Sequence, residues 1–330
     1  MARLPRTERL PLAARKDIRD SWELRKGDYE ESLSRILDQP WTIVVDPWAI
    51  HPYAQGSWCE SSIGYVIASY VEGAFDRLRD FFDQNGNEAR DEINEICSAH
   101  VLTIDYDDTN TVSYCGVKVS PERQLVILFS GNNLGTNASD AANSNNLTKA
   151  LNDASSPRPM NFTARNSIRN GYNPRIEQIQ QKLKEMFQRD VSLVPNFETN
   201  FEKLRGNTNA SSGWEWNFGN AHLAYFEGLA LQLQYDKFGE DDMLREGLLE
   251  TVDKHAIHIR VVDQIKGSYN EAVVEDGILY LQTSPKTFGV NTSNVASNVI
   301  SILQVEEWHS KDFYVNITQI CIYRTIRTKW

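Results

Sequence analysis

The chain has 330 residues, 41% of them apolar, with 34 Lys and Arg against 45 Asp and Glu and a net charge of −11. That length is more than one hydrophobic core usually supports and points to two domains, while no run approaches the roughly 20 apolar residues of a bilayer span. Cys59, Cys97, Cys115 and Cys321 stand far apart with no Cys-x-x-Cys pair, which argues against a disulfide framework or a zinc knuckle and fits reduced thiols in a cytoplasmic protein. The start, Met1 to Arg6, is followed by charges where a signal peptide has its apolar region. Charge is uneven: residues 1–26 and the tail from Tyr323 to Trp330 are basic, and the body between them is acidic. A basic N-terminal arm is a known route to nucleic acid, but a body this acidic repels phosphate, so a protein partner or self-association is expected instead and no membrane contact.

In chain order, residues 17–38 read as two short helices broken at Lys26-Gly27-Asp28, and Trp41 to Val45 as a short strand stopped by Asp46-Pro47. From Ser62 to Phe82 the apolar residues recur at helical spacing, and Asn85-Gly86 ends that helix. A second helix follows over Glu88 to Cys97, then a strand from His100, and then a hairpin of Thr111 to Val119 with Gln124 to Phe129. After a polar stretch, a short helix lies around Leu147 to Leu151.

The Ser-, Pro- and Asn-rich segment 152–174 reads as a linker, and Arg175 to Phe187 as a charged connecting helix. The plan then recurs: a strand at Val191 to Val194, a long helix over Phe218 to Tyr235, another over Asp241 to Val252, a strand from His255, a hairpin turning at Glu275-Asp276-Gly277, and a helix around Val299 to Leu303. A last strand is expected over Phe313 to Ile326.

The recurrence extends to individual residues at an offset of about 155. Tyr70-Val71-Glu72-Gly73 matches Tyr225-Phe226-Glu227-Gly228, and the register runs on through Leu78/Leu233, Arg90/Arg245, His100/His255 and Ile104/Ile259. After a one-residue slip it resumes with Gly135/Gly289, Asn137/Asn291 and Ser139/Ser293. The expected fold is therefore α+β, with two tandem related lobes, each strand-helix-helix followed by three antiparallel strands. The expected boundaries are a basic N-terminal helical arm (1–40), a first repeat (41–151), a linker and connecting helix (152–189), a second repeat (190–303), and a C-terminal strand with a basic tail (304–330).

Candidate site residues come from the paired positions. A mid-helix glycine costs about 1 kcal/mol relative to alanine, so Gly73 and Gly228 need a reason, and close helix contact is the plain one. If the two long helices crossed at these glycines, Glu72 and Glu227 would lie buried together and share a proton or a metal. His100 and His255 follow a helix directly, where capping of free carbonyls is the plainer role and acid–base work the sharper one. His255 and His258 fall on opposite faces of a strand, and His222 with Glu227 lacks metalloprotease spacing, so no metal is expected. Trp58, Trp214 and Trp216 precede the long helices as core or as partner anchors, and Asn137 and Asn291 sit in matched loops that suit left-handed turns or the walls of a cleft. No dinucleotide, Walker or nucleophile-elbow motif is present, and no cofactor is expected.

Three functions follow from these readings. The first is a non-enzymatic binding or assembly protein, a pseudo-dimer presenting an inter-lobe groove or aromatic patch to a macromolecule. The second is a hydrolase-like enzyme with a carboxylate and histidine site between the lobes. The third is a self-assembling shell or filament subunit.

Overall fold

A computed structural model describes residues 3–305. The chain divides into two compact units, the first ending at Asn166 and the second beginning at Ser167. In the first, apolar residues three or four apart make one buried stripe along an almost continuous helical run. Helix α1 (Leu12–Asp17) passes through a π-helical turn at Ile18–Trp22 and a 3-10 turn at Glu23–Arg25 into α2 (Lys26–Leu37). Ala14, Ile18, Trp22, Tyr29, Leu33 and Leu37 are buried along it. It stops at Asp38, which takes the left-handed conformation common at helix C-termini, with φ 55°.

Strand β1 (Thr42–Val44) follows, then α3 (Pro47–Ile50), whose start is fixed by Pro47 at its first position and by Asp46, whose carboxylate accepts from the Trp48 N–H at 3.0 Å. A 3-10 turn at His51–Ala54 leads toward the long α4 (Ile63–Asn85), and Gly86 separates that helix from α5 (Asn87–Ile96). Strands β2 (Val101–Tyr106), β3 (Cys115–Val119) and β4 (Leu125–Phe129) and helix α6 (Ser144–Asp153) complete the unit.

The sheet runs β1-β2-β4-β3. Thr42 pairs with Val101 and Leu102 with Leu125 in parallel, while Cys115 pairs antiparallel with Phe129. Every residue of β4 is buried, as its unbroken Leu-Val-Ile-Leu-Phe run requires of a strand covered on both faces.

The second unit has the same order of elements. Helix α7 (Phe162–Ser167), within which the unit boundary falls, enters a π-helical turn at Ile168–Tyr172 and then α8 (Ile176–Phe187). Strand β5 (Ser192–Val194), α9 (Phe197–Arg205), a 3-10 turn at Trp214–Asn217, α10 (Phe218–Tyr235) and α11 (Asp242–Thr251) follow. Then come β6 (Ala256–Val261), β7 (Asn270–Glu275), β8 (Ile278–Thr283) and α12 (Val299–Val305). The strand order is β5-β6-β8-β7, with the same two parallel pairings and one antiparallel pairing.

Equivalent details recur in each unit. A Cβ added to Gly64 would lie 2.3 Å from the Asp17 carbonyl oxygen, and one added to Gly219 would lie 2.2 Å from that of Ser167, so each π-helical turn lies directly against a long helix. Asp17 accepts from the Tyr65 N–H at 3.0 Å and Ser167 from the Gly219 N–H at 2.9 Å, capping that helix from outside its own segment.

The architecture is mixed α and β with two four-stranded sheets, as expected, but four details differ. The three strands after the helices are not all antiparallel: only the hairpins β3–β4 and β7–β8 are, because β3 and β7 take the edge of the sheet and the chain then turns back, which lays β4 beside β2 and β8 beside β6 in parallel. Residues 10–37 are not a separate arm but supply buried side chains to the first unit. Lys26-Gly27-Asp28 does not break the helix; it begins α2. The expected linker is ordered helix from Phe162 onward, and residues 162–187 carry the same residue as 12–37 at Ala14/Ala164, Arg15/Arg165, Ile18/Ile168, Arg25/Arg175 and Leu33/Leu183. The expected strand at Phe313 to Ile326 and the basic tail lie outside the described residues. No described helix is long and apolar enough to cross a membrane.

Candidate functional site

The residues matched between the halves build one clasp in each unit. Tyr70 and Tyr225 are fully buried on α4 and α10, and their hydroxyls accept from the backbone N–H of Gly135 at 3.0 Å and of Gly289 at 2.8 Å. Burial pushes the Tyr225 phenol up to about 12 and the Tyr70 phenol higher still, so both stay protonated and neutral. One turn on, Gly73 lets the 3-10 turn at Ala138–Asp140 approach, since an added Cβ would sit 2.5 Å from Ser139 Cα. Gly228 does the same for the turn at Thr292–Asn294, with 2.2 Å to the Thr292 carbonyl oxygen. The close contact at these glycines is thus with a loop of the same unit. Asn137 and Asn291 start those turns in the left-handed conformation, φ 54° and 50°. Their carbonyls accept from Cys115 Sγ at 3.1 Å and from Asn270 Nδ2 at 3.1 Å.

Glu72 does not occupy the buried position expected of a shared-proton carboxylate. It is about half exposed, accepting from Arg25 at 3.0 Å and from the Tyr29 hydroxyl at 2.8 Å. Arg25 also lies over the Tyr29 ring, 4.8 Å from its centroid. Glu227 is half-buried, and the residues at the places of Arg25 and Tyr29 do not serve it: Arg175 donates to Asn220 and to the Gly171 carbonyl, and Ile179 has no donor.

His100 and His255 both take φ near 50°, the bend from helix to strand. His100 Nε2 bonds the Asn94 carbonyl in the last turn of α5 at 3.3 Å, and its ring stacks on Trp41 at 5.5 Å. His255 Nε2 accepts from Arg189 at 2.8 Å. Within neither unit do the carboxylate and the histidine share a partner. Among the described residues no three His, Cys, Asp or Glu side chains form a metal-binding group.

The tryptophans separate into two kinds. Trp214 is 8% exposed and packs on Phe201 and Phe218, with centroids 5.2 and 5.5 Å away. Trp58 and Trp216 stay 58% and 60% exposed, each just ahead of a long helix. Asn291 also lines a polar cleft of about 400 Å³ in the second unit, with Tyr269, Asn270, Glu271, Asn294 and Asn298. Asn270 is tied to the clasp, since its Oδ1 accepts from the Tyr225 hydroxyl at 3.1 Å.

One buried polar pair escapes a reading of either half alone. Asn200 Nδ2 donates to His222 Nε2 at 3.1 Å and to the Pro195 carbonyl at 2.8 Å, while its Oδ1 accepts from the Val261 N–H at 2.8 Å. His222 Nδ1 bonds the Phe218 carbonyl at 2.8 Å, which makes that nitrogen the donor and leaves Nε2 to accept. Desolvation holds the imidazole down at about 4, so it is neutral. At the matching places the first unit has Ile50 and Ile67, both buried. The signal was present in the repeat, as polar residues standing where the other copy has isoleucine.

In comparisons with protein-family models, with curated proteins and with solved structures, no match is found.

Proposed function

We propose that the chain is one α+β module present twice in tandem, serving as a non-enzymatic binding protein that takes a macromolecular partner through its exposed tryptophans. The observation that carries this reading is the exposure of Trp58 and Trp216, 58% and 60%, at the approach to α4 and α10. Large aromatic side chains supply much of the energy of protein interfaces, and leaving two in water ahead of the long helices is costly without a use. The side chains suited to acid–base work have other employment in support of the fold: Glu72 holds Arg25 and Tyr29, and His100 caps α5.

The test is a photoreactive phenylalanine analogue placed at position 58 or 216 in the source cell. Adducts to one partner polypeptide, or to a second copy of the chain, are expected from both sites. Adducts no more frequent than from position 235, where Tyr235 is 82% exposed, sink the reading. Light scattering at rising concentration separates the assembly forms, since a shell or filament subunit grows in mass and a one-to-one binder does not.

A further inference from the structure

The first unit contains a cleft of about 340 Å³ where α2, α4 and α5 meet, walled by Ser32 and Arg35, by Arg79, Phe82 and Asp83, and by Arg90. Three guanidinium groups from three helices thus face one space in a chain whose net charge is −11. Arg35 and Arg79 have surface partners on their own helices, Glu31 at 3.5 Å and Asp76 at 2.9 Å. Such exposed pairs are weak and re-aim easily.

Arg90 is different. It lies over the Phe82 ring, 5.2 Å from the centroid, and its Nε–H is buried with no acceptor among the described residues. A buried donor left unpaired is unfavourable by about 1–3 kcal/mol, and more when charged. The Nε and Nη donors of a guanidinium form a planar fork that matches two oxygens of one oxyanion.

The second unit carries different side chains at the same place. Arg245, the counterpart of Arg90, is paired with Asp242, and the residues corresponding to Arg35 and Arg79 are Glu185 and Gln234. The shared frame therefore does not require the arginines; the first unit alone collects them and leaves one without a carboxylate.

We propose that this cleft binds a phosphate monoester. Arg90 takes two phosphate oxygens through its two terminal Nη groups, and Arg35 and Arg79 close on the remaining oxygen. A phosphate monoester dianion offers three terminal oxygens to the three guanidiniums, where a carboxylate offers two. This site is separate from the exposed tryptophans, and its test stands whether or not they bind a partner.

The test is calorimetric titration of the full chain at pH 7.5 with inorganic phosphate, O-phosphoserine, a phosphoserine peptide and acetate. Saturable binding of phosphate and O-phosphoserine is expected, with acetate at least about tenfold weaker. Arg90→Gln and Arg35→Gln should each weaken phosphate by about tenfold, and Arg245→Gln should not change it. Arg35 is 72% exposed at its side chain, so its replacement reports on the site even if Arg90→Gln fails to fold. Tighter binding of the peptide than of O-phosphoserine identifies a phosphorylated polypeptide as the source; equal binding identifies a small phosphoester. No saturable phosphate binding, acetate binding as tight as phosphate, or indifference to both Arg90→Gln and Arg35→Gln overturns the proposal.

Discussion

The Tyr225 hydroxyl joins two segments of the second unit, accepting from the Gly289 N–H at 2.8 Å and donating to Asn270 Oδ1 at 3.1 Å. Among the described residues Tyr70 makes only the first of these bonds, to Gly135 at 3.0 Å. Tyr225→Phe should therefore cost about 2 kcal/mol and Tyr70→Phe about 1 kcal/mol. Urea unfolding of each variant checks both values, and equal losses would mean that the Asn270 bond contributes nothing.

Glycine to alanine should act in opposite directions at two helical sites. At Gly228 the new methyl meets a backbone oxygen at 2.2 Å and the turn at Thr292–Asn294 must move, a loss of about 3 kcal/mol. At Gly247, inside α11, nothing lies within 4 Å, and the helix should gain up to about 1 kcal/mol. Thermal melts of the two variants give the signs directly.

Removing one member of the Asn200–His222 pair should hurt more than removing both. Asn200→Ile alone strands the His222 Nε2 acceptor and the Val261 N–H, whereas Asn200→Ile with His222→Ile recreates the apolar pair Ile50 and Ile67 of the first unit. The single variant is expected to lose about 2 kcal/mol or more and the double variant less than the single. A double-mutant cycle by chemical denaturation reads the difference.

The same histidine sets a pH dependence. Its native value of about 4 lies below the ordinary 6.5, so between those limits the unfolded chain binds a proton that the folded chain refuses. Stability contributed by the neutral ring is complete above pH 6.5 and declines as pH falls toward 4, by on the order of 3 kcal/mol. Denaturation at pH 7 and pH 4.5 should show a steeper decline for the native chain than for the double isoleucine variant.

His51 offers a stabilising change. It is buried in the first unit with neither ring nitrogen hydrogen-bonded among the described residues, and its counterpart in the second unit is the buried Phe201. His51→Phe removes two unsatisfied polar atoms and should raise stability by about 1 kcal/mol, provided the larger ring fits. A lowered melting temperature for His51→Phe and for the smaller His51→Leu alike would show that the site requires the imidazole.

The long apolar helices were legible in the sequence. The span Phe218 to Tyr235 matches α10 end for end, and β4 was plain from five apolar residues in a row. Strand direction was not, since alternation tells which side chains face inward but not which way a neighbour runs; the long helical crossover between Val44 and Val101 was the available clue. The likeness of 12–37 to 162–187 stayed hidden because the π-helical turn interrupts the helical period and the added residues of α9 and the loop after it shift the offset between the halves. Arg35, Arg79 and Arg90 gave no signal, because arginines on exposed helix faces are ordinary and only folding brings these three to one cleft.

The parallel pairing of β1 with β2 also bears on synthesis. Thr42 leaves the ribosome long before Val101, and the central β4, which pairs with β2, emerges later still. A nascent chain therefore holds Leu33, Leu37, Trp41 and Ile43 without their final cover while α4 and α5 are being made, a window in which an early apolar segment is open to chaperones and to misassociation with other growing chains.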